Sequence, residues 1–214
     1  MSLTSEVQGA LALRIGGRVR KRVLAAAFVL AAQTIAAAAP PITELERQHL
    51  IAHMQMTASW LEDEVSGLSP AQAAFRPSET SWTILEVLDH LVVVGPIYWK
   101  DLQSAKEVSA GRAGMMNDVD VLWYGIDRTN RETALATEEP SRKLQDVLSG
   151  LNSYRTQHAR LLQYIRTTQD DLRRRIVERQ NSDAYQWALL TSTHEQRHIL
   201  QIREIKASAG FPKR

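Results

Sequence analysis

The sequence predicts an all-α fold, specifically a four-helix bundle, on three observations. Four long segments carry apolar residues at three- and four-residue spacing. Short polar joints and one long irregular crossover separate them, and no alternating run strong enough for a central strand occurs anywhere. Such a bundle builds its polar sites from side chains that face inward. The 214 residues, 44% hydrophobic and 23% charged, suit one globular domain of ordinary core size plus a short extension. A formal net charge of +2 gives no indication of nucleic-acid binding. The absence of cysteine excludes disulfides, cysteine-type zinc knuckles, iron–sulfur clusters and a cysteine nucleophile.

The extension comes first. Arg14, Arg18, Arg20, Lys21 and Arg22 precede an apolar run from Val23 to Ala32, and small residues follow as far as Ala39. Basic, apolar and small regions in that order have the layout of a secretory signal peptide, with a cleavage site at Ala36-Ala37-Ala38. Residues 1–39 are therefore expected to be a signal peptide or an apolar anchor, and residues 40–214 the folded domain. The strongly apolar part is shorter than the roughly 20 residues of a spanning helix. A periplasmic or secreted protein, with no stable membrane insertion after cleavage, is the expectation; a membrane-anchored or cytoplasmic one is the alternative.

The first helix runs from Ile42 to about Ser66. Thr43 and Glu46 form a capping box, Leu45, Leu50, Met54, Trp60 and Leu61 are apolar positions, and Gly67 follows the end. The second has the clearest start in the chain, with Trp82 before the cap, Thr83 at it, Glu86 completing a capping box and Val87 closing a hydrophobic staple on Trp82. It continues through Leu88, Leu91 and Val94 towards Leu102, and Pro96 is expected to bend or shorten it. Residues 111–137, with Gly111, Gly114 and Gly125 around Met115, Met116, Trp123 and Tyr124, read as a crossover carrying a short helix. The third helix spans Ser141, its expected cap, to Thr168. Residues 170–181 suit a turn or short extended piece, and the fourth helix runs from Asp183 to Ala207 with Trp187, Leu190, Ile199, Ile202 and Ile205 as apolar positions.

His194 and His198 stand one turn apart on one face of the fourth helix, their Cβ atoms about 5–6 Å apart, so both imidazoles can reach one metal ion. Among the other histidines His90 is the best third ligand, because it follows a well-fixed helix start and shares the apolar pattern of Leu88 and Leu91. A buried imidazole needs a hydrogen-bond partner or a metal. His49 and His53 lie on the first helix and His158 on the third. Three neutral imidazoles leave coordination positions open, as at catalytic rather than structural zinc. Such an ion lowers the pKa of bound water to about 7, activates a thiolate or polarises a carbonyl. Hydrolysis or thiol transfer on a small-molecule substrate is the reaction type to expect, any thiol coming from a co-substrate. Trp99, Trp123, Tyr124 and Trp187 are candidates to line a pocket near the metal, although most of them are expected to fill the core.

Arg76-Pro77, then the stretch from Ser81 to Leu91, and later Trp187 with His194-Glu195-Gln196-Arg197-His198-Ile199 resemble the DinB-like (DinB/YfiT) superfamily of metal-binding helix bundles, over about residues 43–208. The resemblance implies up-up-down-down connectivity and a divalent metal (zinc, nickel or iron) held by three histidines, which correspond to His90, His194 and His198. It further implies activities that include thiol-dependent transfer and isomerisation.

Three other readings stay open. His194-Glu195-x-x-His198 matches the zinc metalloprotease motif, with Glu195 as general base or else a solvated surface glutamate, although Gln201 and Glu204 stand where metzincins place glycine and histidine. Glu46-x-x-His49, Glu195-x-x-His198 and Glu86 partly fit a dinuclear carboxylate site, yet the third helix offers no glutamate and its only early acid is Asp146. A non-enzymatic metal-binding or structural bundle is the plain alternative. A homodimer is a further expectation, since bundles with one exposed apolar face often pair.

Overall fold

The computed structural model describes residues 42–108 and 116–213. The expected leader at residues 1–39 lies outside the described residues, as do Gly111, Gly114 and Met115. Six helices make up most of the described chain: α1 (Glu44–Val65), α2 (Pro70–Ala73), α3 (Ile84–Gln103), α4 (Asp118–Ile126), α5 (Val147–Thr167) and α6 (Ala184–Ala207). A small antiparallel sheet accompanies them, β1 (Lys106–Glu107), β2 (Arg175–Val177) and β3 (Ser182–Asp183) in the order β1-β2-β3. Strands of two and three residues fall below the length at which alternation can be read from sequence.

Helix starts follow local chemistry. Capping boxes at Thr43/Glu46 and Thr83/Glu86 open α1 and α3, and Asp183/Gln186 opens α6 in the same way. At α5 the expected cap is corrected. Asp146 accepts from Ser149 N at 2.8 Å, and the helix begins at Val147. Ser141 instead donates to the buried Asp89 of α3 at 3.0 Å, and Arg142, in the left-handed region at φ 57°, gives its N–H to the same carboxylate at 2.5 Å. A long-range bond has taken the side chain that local pattern assigned to capping.

Pro96 does not shorten α3, which runs on to Gln103. The proline deprives the Val92 carbonyl of its helical donor, and Gln157 Nε2 on α5 supplies one at 3.1 Å. Gly95 makes the approach possible, since a Cβ there would lie 2.1 Å from Gln157 Oε1.

The directions of the long helices follow from their cross-links. α1 and α5 run antiparallel, since Arg47 reaches the carbonyls of Ile165 and Thr168 at one end while Glu62 pairs with Arg155 at the other. α1 and α6 run parallel, with His53 on Ser192 and Glu64 on Arg203 and Lys206. α3 runs parallel to α5 (Val92 with Gln157, Trp99 with Tyr164) and antiparallel to α6 (His90 with His194, Tyr98 with Trp187). Along the chain the order is therefore up, down, down, up. This corrects the up-up-down-down connectivity: the joint from α1 to α3 reverses direction.

Two apolar clusters meet along α6. One gathers Leu50, Met54, Ile165, Trp187 and Leu190; the other gathers Leu61, Val87, Leu88, Leu151, Ile199 and Ile202. Between Leu190 and Ile199 the helix carries the buried polar side chains Ser192, Thr193, His194, Glu195, Arg197 and His198. Arg173 fixes the other end of α6. It bridges Glu46, Asp118 and Asp183 at 2.7, 2.7 and 3.2 Å and lies over the Tyr185 ring, tying together the starts of α1, α4 and α6. α4 packs on α6 at Gly125, where a Cβ would come within 2.9 Å of Thr193 Cβ.

Candidate metal centre

The antiparallel packing of α3 on α6 brings His90 to His194 and His198. Their Nε2 atoms converge, with His90 to His194 at 3.2 Å and His198 to His194 at 3.1 Å, and all three residues are buried. Among the described residues this is the one group of three or more histidine or acidic side chains whose atoms lie close enough to share an ion.

Hydrogen bonds on the far side of the rings decide what the near side offers. His90 Nδ1 lies 2.5 Å from the main-chain carbonyl of Glu138, which can only accept, so Nδ1 carries the proton and Nε2 a bare lone pair. His198 Nδ1 donates to Gln201 Oε1 at 2.8 Å with the same result. His194 can offer its neighbours at most one proton. Three nitrogens with at most one hydrogen among them, buried and aimed at one point, form a donor set that fits a divalent cation. Burial, reinforced by the closeness of His90 and by the charge of Arg197, pushes His194 down to about 3. Burial likewise lowers His198, helped by His194 and His90, and lowers His90. All three are neutral at pH 7, the form that binds metal.

The crossover between α4 and α5 supplies much of this support. Its Glu138 carbonyl orients His90, while the buried Glu138 carboxylate is held by Arg179, whose Nε also lies 3.0 Å from Asp101. Arg197, between the two α6 histidines in sequence, donates to the carbonyls of Tyr124, Asp127 and Asn130. Arg128 grips Glu204 with two bonds of 2.9 Å. The crossover is thus fastened to both sides of the histidine cluster.

Above the cluster opens a cleft of about 800 Å³ whose wall includes all three histidines, Trp82, Tyr98 and Tyr124. The Trp82 ring lies 5.0 Å from that of His90 and stacks at 6.2 Å on that of His198. Glu195 is not in this wall. It is buried rather than solvated, accepts from Thr57 Oγ1 at 3.1 Å and Tyr154 Oη at 3.0 Å, and lines a separate cavity of about 40 Å³. Burial pushes its carboxyl up to about 8 against the pull of those two bonds.

The remaining candidates do not join the cluster. Glu46 is bound to Arg173 and Glu86 to Arg76, so the carboxylates of a dinuclear site do not converge. Nor does Asp146, which caps α5. His53 bonds Ser192, His158 bonds the Met54 carbonyl, and His49 is exposed. Of the four aromatics considered, Tyr124 lines the cleft, Trp99 lines the smaller cavity, Trp187 is core and Trp123 is exposed. Sequence reasoning missed Glu138, Gln201, Arg179 and Tyr98. Gln201 was within reach, since it stands three residues after His198 on the same helix face; Glu138 acts through its main chain, which has no residue signature.

The DinB superfamily profile matches residues 53–202, which include all three histidines. The uncharacterized protein YuaE of Bacillus subtilis (strain 168) is 27% identical over 150 residues, 67% of this chain and 89% of that protein. No solved structure matches.

Proposed function

The chain belongs to the DinB superfamily, and on that premise we propose that it is a metal-dependent hydrolase or thiol-dependent transferase acting on a small molecule. His90, His194 and His198 hold a divalent zinc, nickel or iron ion in this reading, and the four long helices α1, α3, α5 and α6 act as a four-helix bundle around it. The observation that carries the reading is the set of three converging Nε2 atoms, two of them stripped of hydrogen by acceptors at Nδ1, in the wall of an open cleft.

When bound, the ion supplies Lewis acidity towards water, a thiolate or a carbonyl oxygen. The chain's own residues orient that chemistry. The Glu138 carbonyl and Gln201 hold two imidazoles in the ligating tautomer, and Trp82 covers His90 and His198 on the cleft side. Glu195, facing the smaller cavity, supports α6 from behind rather than acting as a base in the cleft. That placement favours a second reading, a metal-binding bundle without catalysis, and it weakens the protease one. Export to the periplasm or beyond is part of the proposal and rests on the N-terminal sequence.

Elemental analysis after reconstitution tests it. The parent chain should retain about one equivalent of zinc, nickel or iron, and the His194→Ala/His198→Ala double variant none. A parent that retains no metal would overturn the reading, and two equivalents would restore the dinuclear one.

A further inference from the structure

We propose that Tyr98 and Tyr124 are the ligand-recognising hydroxyls of the cleft, and that the ligand they select is a small carboxylate or carbonyl compound with an apolar body. This rests on the metal-centre reading and adds the chemical class of what binds there.

Both tyrosines line the cleft wall that holds the three histidines. The Tyr98 ring packs 5.4 Å from that of His194 and 5.0 Å from that of Trp187, and its main-chain carbonyl takes the Trp187 indole N–H at 2.9 Å. The Tyr124 ring lies under the Arg197 guanidinium at 4.9 Å, and Arg197 donates to the Tyr124 carbonyl. Each ring is half-buried in the cleft wall. Among the described residues neither hydroxyl has a hydrogen-bond partner, whereas Tyr154 and Tyr164 donate to Glu195 and Asp170. A half-buried phenol with an uncommitted O–H is a donor awaiting an acceptor.

The rest of the wall narrows the class. Its four arginines and four glutamates balance, so a bound divalent ion leaves net positive charge and favours an anionic or strongly polarised oxygen. A phosphate would ask for several free cationic donors. Here Arg128 is committed to Glu204, Arg179 to Glu138, and Arg197 to three carbonyls, which leaves Arg131 as the one wall arginine without a hydrogen-bond or ion-pair partner among the described residues. Two single-donor hydroxyls in the same wall as the three histidines suit a carboxyl or carbonyl group instead, with Trp82, Met116 and Leu190 offering apolar surface to the remainder.

The test uses the full chain loaded with cobalt(II), whose visible absorption reports both the histidine ligands and any added oxygen ligand. Benzoate should shift the spectrum and bind more tightly than inorganic phosphate. Tyr98→Phe and Tyr124→Phe should each weaken benzoate about ten-fold, the loss of one hydrogen bond to a charged group, while cobalt affinity stays within about two-fold of the parent. Unchanged benzoate affinity in both variants, or tighter binding of phosphate, would overturn the assignment while the metal centre stands. A parent that takes up no cobalt would overturn the metal reading and this inference with it, and that is seen before any benzoate is added.

Discussion

His194 and His198 lie four residues apart on α6, and helix geometry alone brings their Nε2 atoms to 3.1 Å. His90 arrives at the same point from α3, 104 residues earlier than His194, and only because several separate features agree. The Thr83/Glu86 capping box sets where α3 begins, Asp89 ties that part of α3 to Ser141 and Arg142, and the Glu138 carbonyl turns the imidazole. One half of the centre is therefore a property of a single helix. The other half is a property of the packed domain, and its failure modes lie far from the metal.

The largest effects should come from the ligands themselves. His198→Ala and His90→Ala should each lower metal affinity by more than about 100-fold, while far-ultraviolet circular dichroism stays helical. Full stoichiometric metal in His90→Ala would reduce the centre to its α6 half. Next come the groups behind the rings. Gln201→Leu removes the acceptor of His198 directly, and Arg179→Met removes the anchor of Glu138 and so acts on His90 through the crossover. Both should weaken metal binding by about ten-fold, measured by competition with a chromogenic chelator. Arg179→Lys should recover part of the loss. If Arg179→Met has no effect, the crossover does not orient His90 and the contrast between the two halves narrows.

Four long helices and the histidine pair at 194 and 198 could be read from the sequence because each depends on neighbours within one turn, whereas His90 was reached only through its place in the apolar pattern of α3 and the family resemblance. Helix direction could not be read, since the joint from α1 to α3 is long enough to run either way. Ser141 was misassigned because a cap and a donor to Asp89 look the same in sequence. Glu195 looked like a surface or base residue, yet Thr57 and Tyr154, from α1 and α5, enclose it. Residues whose neighbours come from other helices are the ones that pattern leaves undetermined.

A smaller effect separates fold from site on α3. Gln157→Leu leaves the Val92 carbonyl without a donor beside Pro96, which should cost about 1–3 kcal/mol and lower the thermal midpoint. Metal affinity at saturating protein stability should not change, because neither Val92 nor Gln157 lies in the cleft wall. A metal loss as large as that of Arg179→Met would mean that the α3 backbone past the proline also sets His90.

The smallest effect concerns the start of α3. Burial raises the Glu86 carboxyl, but the bonds from Arg76, the Thr83 N–H and Arg142 together outweigh it, and the group sits below the usual glutamate value of 4.5. A folded-state value below the unfolded one means that the stabilisation is fully present above about pH 4.5 and is lost as the pH falls through the folded value. Arg76 and Arg142 are largely exposed, so screening holds the ion-pair contribution to no more than about 1 kcal/mol. The parent should therefore lose slightly more stability than Glu86→Gln between pH 5 and pH 3, in denaturant melts at low salt. Glutamine keeps a capping oxygen for the Thr83 N–H, so the two proteins should converge in acid rather than remain offset. A constant offset across that range would assign the role of Glu86 to hydrogen-bond geometry alone, and the α3 half of the centre would then be as insensitive to acid as the cap itself.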